Sequence, residues 1–204
     1  PRYAPLRSDR CVLAFDTSAA HCAAALLFGD DLIVVKALEM QKGQAEHLVP
    51  LIQEVIAQAG KTLADIDLIG VGIGPGNFTG IRISVSLARS LSLSLDRPAL
   101  GVDSFAASYF GHSGAARVIV PGPQDKVYLK DYPANGDLPA LVEQTSLGRT
   151  GSKIIERVGP RFLVTNIAKI ATAAEGPNNT PPAPLYIKPP DAAPARDSAP
   201  VLLT

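Results

Sequence analysis

Leu68-Ile69-Gly70-Val71-Gly72-Ile73-Gly74-Pro75-Gly76-Asn77-Phe78-Thr79-Gly80-Ile81-Arg82 is the stretch on which the fold turns. Its first six residues read as a buried, glycine-spaced strand, and Gly74 to Gly80 as a sharp turn. The next segment, residues 81–95, fits two periods. Ser90 to Leu95 alternates apolar and polar residues as a strand does, whereas Ile81, Val85, Ala88, Leu91, Ser92 and Leu95 recur at helical spacing. Fifteen residues are long for a strand, so the segment reads as a helix. Strand, tight glycine turn and helix in succession are the unit of an α/β protein.

Working outward, Leu48, Leu51, Ile52, Val55, Ile56 and Ala59 predict an amphipathic helix ended by Gly60, with Pro50 in its first turn or kinking it. Upstream, residues 11–16 read as a buried strand closed by the polar Asp16-Thr17-Ser18. Residues 22–27 and 32–37 predict two more strands around a Gly29-Asp30-Asp31 turn. Downstream, residues 98–102 predict a short strand, and Ser104 caps a helix through Tyr109. The first 110 residues thus read βββαβαβα. Beyond them, residues 117–120 and 126–132 predict two strands joined across Pro121-Gly122-Pro123. Residues 138–140 and 161–164 offer strand or turn pieces, and residues 167–174 a short helix ended by Gly176. Most of the 18 prolines lie in this second part, densest from Pro177 onward, where an extended tail is expected.

Composition excludes several classes. The 204 residues are 47% hydrophobic and 19% charged, a globular balance. Lys+Arg and Asp+Glu are 19 each, so no basic excess marks an autonomous nucleic-acid binder. No apolar run approaches a membrane span, and the apolar stretch after Arg10 stops at Asp16, too short for a secretory signal. Cys11 and Cys22 form no CxxC and read as buried free thiols. A cytoplasmic protein with no membrane partner is expected.

Chemistry-bearing motifs are few. Gly72-Ile73-Gly74-Pro75-Gly76 invites a phosphate-loop reading centred on Gly74 and Gly76, yet it is neither GxGxxG nor followed by Gly-Lys-Ser/Thr. A tight turn needing close backbone approach outweighs a nucleotide site. Asp16, Thr17 and Ser18 at a strand end fit either a metal-bound phosphate or a polar turn bonded to itself. His21, His47 and His112 lie far apart, with no i, i+4 pair and no HExxH, so no metal site is expected. His47 beside Glu46 reads as a surface or interface residue.

Taken together, Leu13-Ala-Phe-Asp16-Thr17-Ser18, Glu46-His47-Leu48-Val-Pro50-Leu51-Ile52, Gly72 through Arg82, Gly101-Val-Asp-Ser-Phe105 and Leu185-Tyr-Ile-Lys-Pro-Pro-Asp-Ala192 resemble one family. It is the bacterial tRNA threonylcarbamoyladenosine biosynthesis family TsaB, also called YeaZ. The resemblance is dense over residues 11–110 and thin beyond. It implies an actin-like (sugar kinase/Hsp70-like, ASKHA) α/β fold of two lobes. The regular N-terminal lobe would take residues 1–110, and a reduced C-terminal lobe with its Pro-rich tail residues 111–204. It also implies a helix from Thr79.

By the same resemblance the chain is a non-catalytic dimerisation subunit. It would activate a TsaD-like catalytic paralogue for N6-threonylcarbamoylation of the adenosine beside the tRNA anticodon, alongside a TsaE-like ATPase. ATP and a divalent metal would belong to those partners, with no cofactor held tightly here, and tRNA would be met through the complex only. The two helices of the first lobe would form the partner face, through Glu46, His47, Leu51, Thr79, Arg82, Ser84 and Ala88. Ser84, Ala88 and Ser92 also fall on one stripe of small residues suited to close helix docking, in a partner or in the chain's own core. A homodimer through the same face is expected when the chain is alone. The family usually has Asp-Ala-Arg where this sequence has Pro121-Gly122-Pro123, which leaves Asp16, Thr17, Ser18, Gly74 and Gly76 as a vestigial phosphate site. A stand-alone actin-fold phosphotransferase or hydrolase is the alternative, and a metallopeptidase a weaker one for want of paired histidines.

Overall fold

The computed structural model describes residues 10–29, 31–133, 138–147, 152–174 and 180–187. Strands β1 (Cys11–Asp16), β2 (His21–Phe28) and β3 (Asp31–Glu39) are followed by helix α1 (Gln44–Gln58), strand β4 (Leu68–Gly72) and helix α2 (Phe78–Leu95). Strand β5 (Ala99–Val102) and helix α3 (Ser104–Tyr109) complete the order expected for the first 110 residues. The sheet runs β3-β2-β1-β4-β5, with β1, β2 and β3 antiparallel and β4 and β5 parallel to β1. Residues 78–95 are helix throughout, so the period-two pattern of Ser90 to Leu95 does not make a strand.

Period-two alternation explains why β1 is apolar without interruption. Cys11, Leu13 and Phe15 face one layer with Leu48, Leu51, Val55, Ile81 and Val85 of α1 and α2. Val12 and Ala14 face the opposite layer with Leu163, Ile167 and Ala171. Both faces are covered, so every position of the strand is buried. Those last three residues belong to α4 (Pro160–Ala173), which returns from the far part of the chain to cover the first sheet. A cut at 110/111 would therefore strip one face of that sheet.

The second sheet runs β8-β7-β6-β9, built from β6 (Ala116–Pro121), β7 (Lys126–Tyr132), β8 (Ala140–Glu143) and β9 (Lys153–Glu156). It is small, and its core is Phe105, Ala116, Val118, Val120 and Ile155. The result is a two-lobe α/β arrangement, with a regular N-terminal lobe and a reduced C-terminal one.

Several local expectations are corrected. Asp103, not Ser104, caps α3: its Oδ1 accepts from the Ala106 N–H at 2.7 Å. Residues 161–164 are helical, because Pro160 sits in the first turn of a helix longer than the expected 167–174. The helical apolar spacing of Leu163, Val164 and Ile167 carries the pattern back to that proline. Strand β9 has no counterpart among the sequence expectations. Pro50 lies inside α1, beyond its first turn. Of the proline-rich tail, residues 180–187 form neither helix nor strand, and the Leu185 N–H donates to the Ile73 carbonyl; Gly176, Pro177 and residues 188–204 lie outside the described residues.

Candidate functional site

The Gly74–Gly80 turn and the Asp16–His21 turn are bolted to each other, backbone against backbone. The Asn77 N–H donates to the Ser18 carbonyl at 2.7 Å, and the Thr17 hydroxyl donates to the Gly80 carbonyl at 2.7 Å. Asn77 also caps α2, its Oδ1 accepting from the Gly80 N–H at 2.8 Å. Contacts this close leave no room for β-carbons. One added to Gly80 would run into the Thr17 carbonyl oxygen, and one added to Gly76 into that of Ser18. One added to Gly72 would run into the Asp16 carboxylate. Gly74 is needed for another reason, its φ of 90°. The glycine spacing thus encodes close packing between two turns.

Asp16 is fully buried, and one oxygen does nearly all its bonding. Oδ2 accepts from the Ser18 N–H at 3.1 Å, the Ser18 hydroxyl at 2.9 Å and His21 Nε2 at 2.7 Å. Oδ1 is buried without a hydrogen-bond partner. Because the carboxylate accepts, the His21 proton facing it sits on Nε2. The Ser18 hydroxyl thus donates to Asp16 inside the turn that carries both residues. Asp16 and His21 meet because Asp16 pairs with Ala23 across the hairpin, and His21, two residues from Ala23, shares its face. The hairpin pattern of the sequence carries that signal. Among the described residues no three His, Cys, Asp or Glu groups gather as metal ligands.

Between the lobes lies a cleft of about 650 Å³. Ser18, Pro75–Phe78 and Ile81 line it from the first lobe, and Pro121–Pro123, Tyr128 and Arg157 from the second. Arg157 also borders a second recess, of about 520 Å³, with His21 and Glu39. Burial pushes the Arg157 guanidinium below its ordinary range, and the Asp16 carboxylate acts in the opposite sense. Cys11 and Cys22 are buried free thiols; burial, reinforced by Asp16, pushes Cys22 up to about 12.

The expected partner residues divide sharply. Glu46, His47, Thr79 and Arg82 are exposed. Leu51, Ser84 and Ala88 are buried in the chain's own core: Leu51 and Ala88 pack under the helix layer, and the Ser84 hydroxyl hydrogen-bonds the Gly72 and Ile81 carbonyls. The small-residue stripe therefore lets α2 approach its own sheet. The outward stripe of α2 is Thr79, Arg82, Ser86, Arg89 and Leu93. On it, Arg82 lies 3.7 Å over the Phe78 ring, and its Nε donates to Tyr186 Oη at 2.9 Å. Tyr186 and Arg157 come from far along the chain; Tyr186 lies in the Leu185–Ala192 stretch that shares in the resemblance, whereas no local pattern marks Arg157.

A family model described as TsaD, tRNA N6-adenosine threonylcarbamoyltransferase, matches residues 38–136. The sequence is 29% identical over 126 residues to the tRNA threonylcarbamoyladenosine biosynthesis protein TsaB of Escherichia coli K12, and 38% identical over 95 residues to that of Buchnera aphidicola subsp. Schizaphis graminum. Over these stretches the chain is similar to the TsaB proteins. Those two matches cover 59% and 47% of this chain. They cover 54% and 45% of the TsaB sequences, so the chain spans about half the length of the curated relatives it matches. YeaZ from Pseudomonas aeruginosa superposes with a TM-score of 0.65 at 24% identity, over 80% of this chain and 92% of that one, which establishes the YeaZ fold. A second structure, described as an uncharacterized protein with similarity to peptidase YeaZ, gives 0.70 at 23% identity, over 88% of this chain and all of that one.

Proposed function

We propose that this chain acts in tRNA threonylcarbamoyladenosine biosynthesis as a supporting subunit. It docks on a TsaD-like catalytic paralogue and activates it, in an assembly that includes a TsaE-like ATPase. The observation that carries this reading is the mutual docking of the two turns. Thr17, Ser18, Asn77 and one oxygen of the Asp16 carboxylate are spent on each other, so groups that would grip a phosphate instead fasten the end of β1 to the start of α2. A helix fixed at its start suits a partner-binding subunit. The exposed residues Glu46, His47, Thr79 and Arg82 form its proposed contact surface, and the same face supports a homodimer when the paralogue is absent. ATP and a divalent metal are assigned to the partners, and tRNA contact to the assembly.

The interlobe cleft favours a second reading, a stand-alone actin-fold phosphotransferase or hydrolase, because its volume lies in the range of small-ligand sites. Reconstitution separates the two. Threonylcarbamoyladenosine is measured in tRNA treated with the paralogue and ATPase, with and without this chain. The subunit reading expects modification to depend on the chain, and the chain alone to neither bind nor hydrolyse ATP. Modification at full rate without it, or ATP turnover by the chain alone, would sink the proposal.

A further inference from the structure

The guanidinium of Arg82 is held before any partner arrives. Phe78 lies under its plane at 3.7 Å, Tyr186 Oη takes its Nε–H at 2.9 Å, and the Phe78 and Tyr186 rings are 4.9 Å apart. Tyr186 is itself fixed by its neighbours. The Leu185 N–H donates to the Ile73 carbonyl at 2.9 Å, while Leu185 and Ile187 pack on the core of the second lobe. Leu185 and Ile187 are partly buried there, and Tyr186 between them meets Arg82 and Phe78 of α2.

Arg82 is exposed, and among the described residues its two Nη nitrogens have neither a hydrogen bond nor an ion-pair partner. Exposed arginines ordinarily sample many rotamers and lose that freedom on binding; this one has already lost it inside its own chain. A planar fork with its outer N–H groups free and fixed in direction fits the two oxygens of a carboxylate.

We propose that Arg82, clamped by Phe78 and Tyr186, is a preorganised receptor for an Asp or Glu side chain on the docking protein, with Tyr186 as its positioning residue. The inference rests on the subunit reading and names one contact within it. An acidic protein side chain is favoured over a nucleic-acid phosphate by the surroundings. The outward stripe of α2 holds only one other cation, Arg89, and the adjoining α1 presents Glu46, with Glu54 paired to Lys36. Backbone-binding surfaces need several cations in a row.

The test measures binding of the purified chain to the purified TsaD-type paralogue from the same genome, and separately to a tRNA transcript. Arg82→Ala is expected to weaken paralogue binding about tenfold, and Tyr186→Phe, which removes only the hydroxyl, about threefold. Arg82→Lys keeps the charge but not the fork, and should bind nearly as poorly as Arg82→Ala. The gap between wild type and Arg82→Ala should narrow in high salt. Wild-type binding that neither Arg82→Ala nor Tyr186→Phe changes would overturn the inference and leave the subunit reading standing. Loss of tRNA affinity with paralogue binding intact would also overturn it, making phosphate the occupant. No binding of the wild-type chain to the paralogue would overturn the subunit reading, and this contact with it.

Discussion

Gly80→Ala sets two rules against each other. Gly80 lies in the first turn of α2, where alanine ordinarily gains about 1 kcal/mol over glycine. Its β-carbon, however, would sit far inside the 3.0 Å below which such carbons are not found, against the Thr17 carbonyl oxygen. That oxygen is backbone in a buried turn and cannot swing aside. Relief requires α2 to back away by roughly 1 Å, stretching the 2.7 Å bonds from Thr17 Oγ1 to the Gly80 carbonyl and from the Asn77 N–H to the Ser18 carbonyl. Each bond contributes about 1 kcal/mol net, and forced overpacking costs about 1–3 kcal/mol. After subtracting the helix gain, Gly80→Ala should destabilise by roughly 3 kcal/mol. For a chain of this size that lowers Tm by roughly 6–12 °C. Calorimetry or urea unfolding reads it, with Ser86→Ala, exposed on the same helix, as a control that should be neutral or slightly stabilising. A Gly80→Ala protein melting at or above wild type would refute the close-docking account of the whole glycine turn.

Three more outcomes are expected. Asp16→Ala strands the Ser18 N–H, Ser18 hydroxyl and His21 Nε2–H in a buried site and should cost about 3 kcal/mol in urea unfolding. Asp16→Asn, which retains an acceptor oxygen, should lose less; equal losses would show that charge rather than bonding matters. Cys22 is held protonated up to about 12 against an ordinary 9.0, so its contribution is whole below pH 9 and fades between pH 9 and 12 as the unfolded chain ionises first. The slope is at most about 1.4 kcal/mol per pH unit, read from urea unfolding at about pH 8 and about pH 10.5, and Cys22→Ala should flatten it. Ser84→Arg forces a charge into the α2–sheet layer and should yield insoluble or unfolded protein, whereas Ser86→Arg on the outer stripe should fold normally. Soluble, native-like Ser84→Arg would mean that this face of α2 is not packed as described.

Much of the fold is legible in the sequence because its elements are locally consistent. Helix α1 declares itself by six apolar positions at helical spacing, and β1 by an unbroken apolar run closed by polar residues. The region after residue 132 is harder to read. Strand β9 is only four residues long and mostly exposed, and the start of α4 reads as two separate fragments until Pro160 is placed in a first turn. Of the candidate site, the chemistry of Asp16, Thr17 and Ser18 is visible as two alternatives, and the packing of Gly72, Gly76 and Gly80 adds what local sequence does not show, that the two turns dock on each other. On α2, small residues at i and i+4 suit a partner helix and an intramolecular sheet equally well. Period alone therefore cannot tell the inner stripe of Ser84 and Ala88 from the outer one of Thr79, Arg82, Ser86, Arg89 and Leu93.

Residues 68–82 show where the boundary falls. Sequence by itself determined that a buried strand meets a glycine turn and then a longer segment, and that the surrounding pattern is α/β, since periodicity and turn chemistry act over a few residues. Only the tertiary structure decided what the glycines are for, because their partners, the carbonyls of Thr17 and Ser18 and the carboxylate of Asp16, lie more than fifty residues away in sequence. It also decided which face of α2 is free, and that Tyr186 reaches across 104 positions to fix Arg82. Contacts of that span are set by how layers stack, and no local period records them.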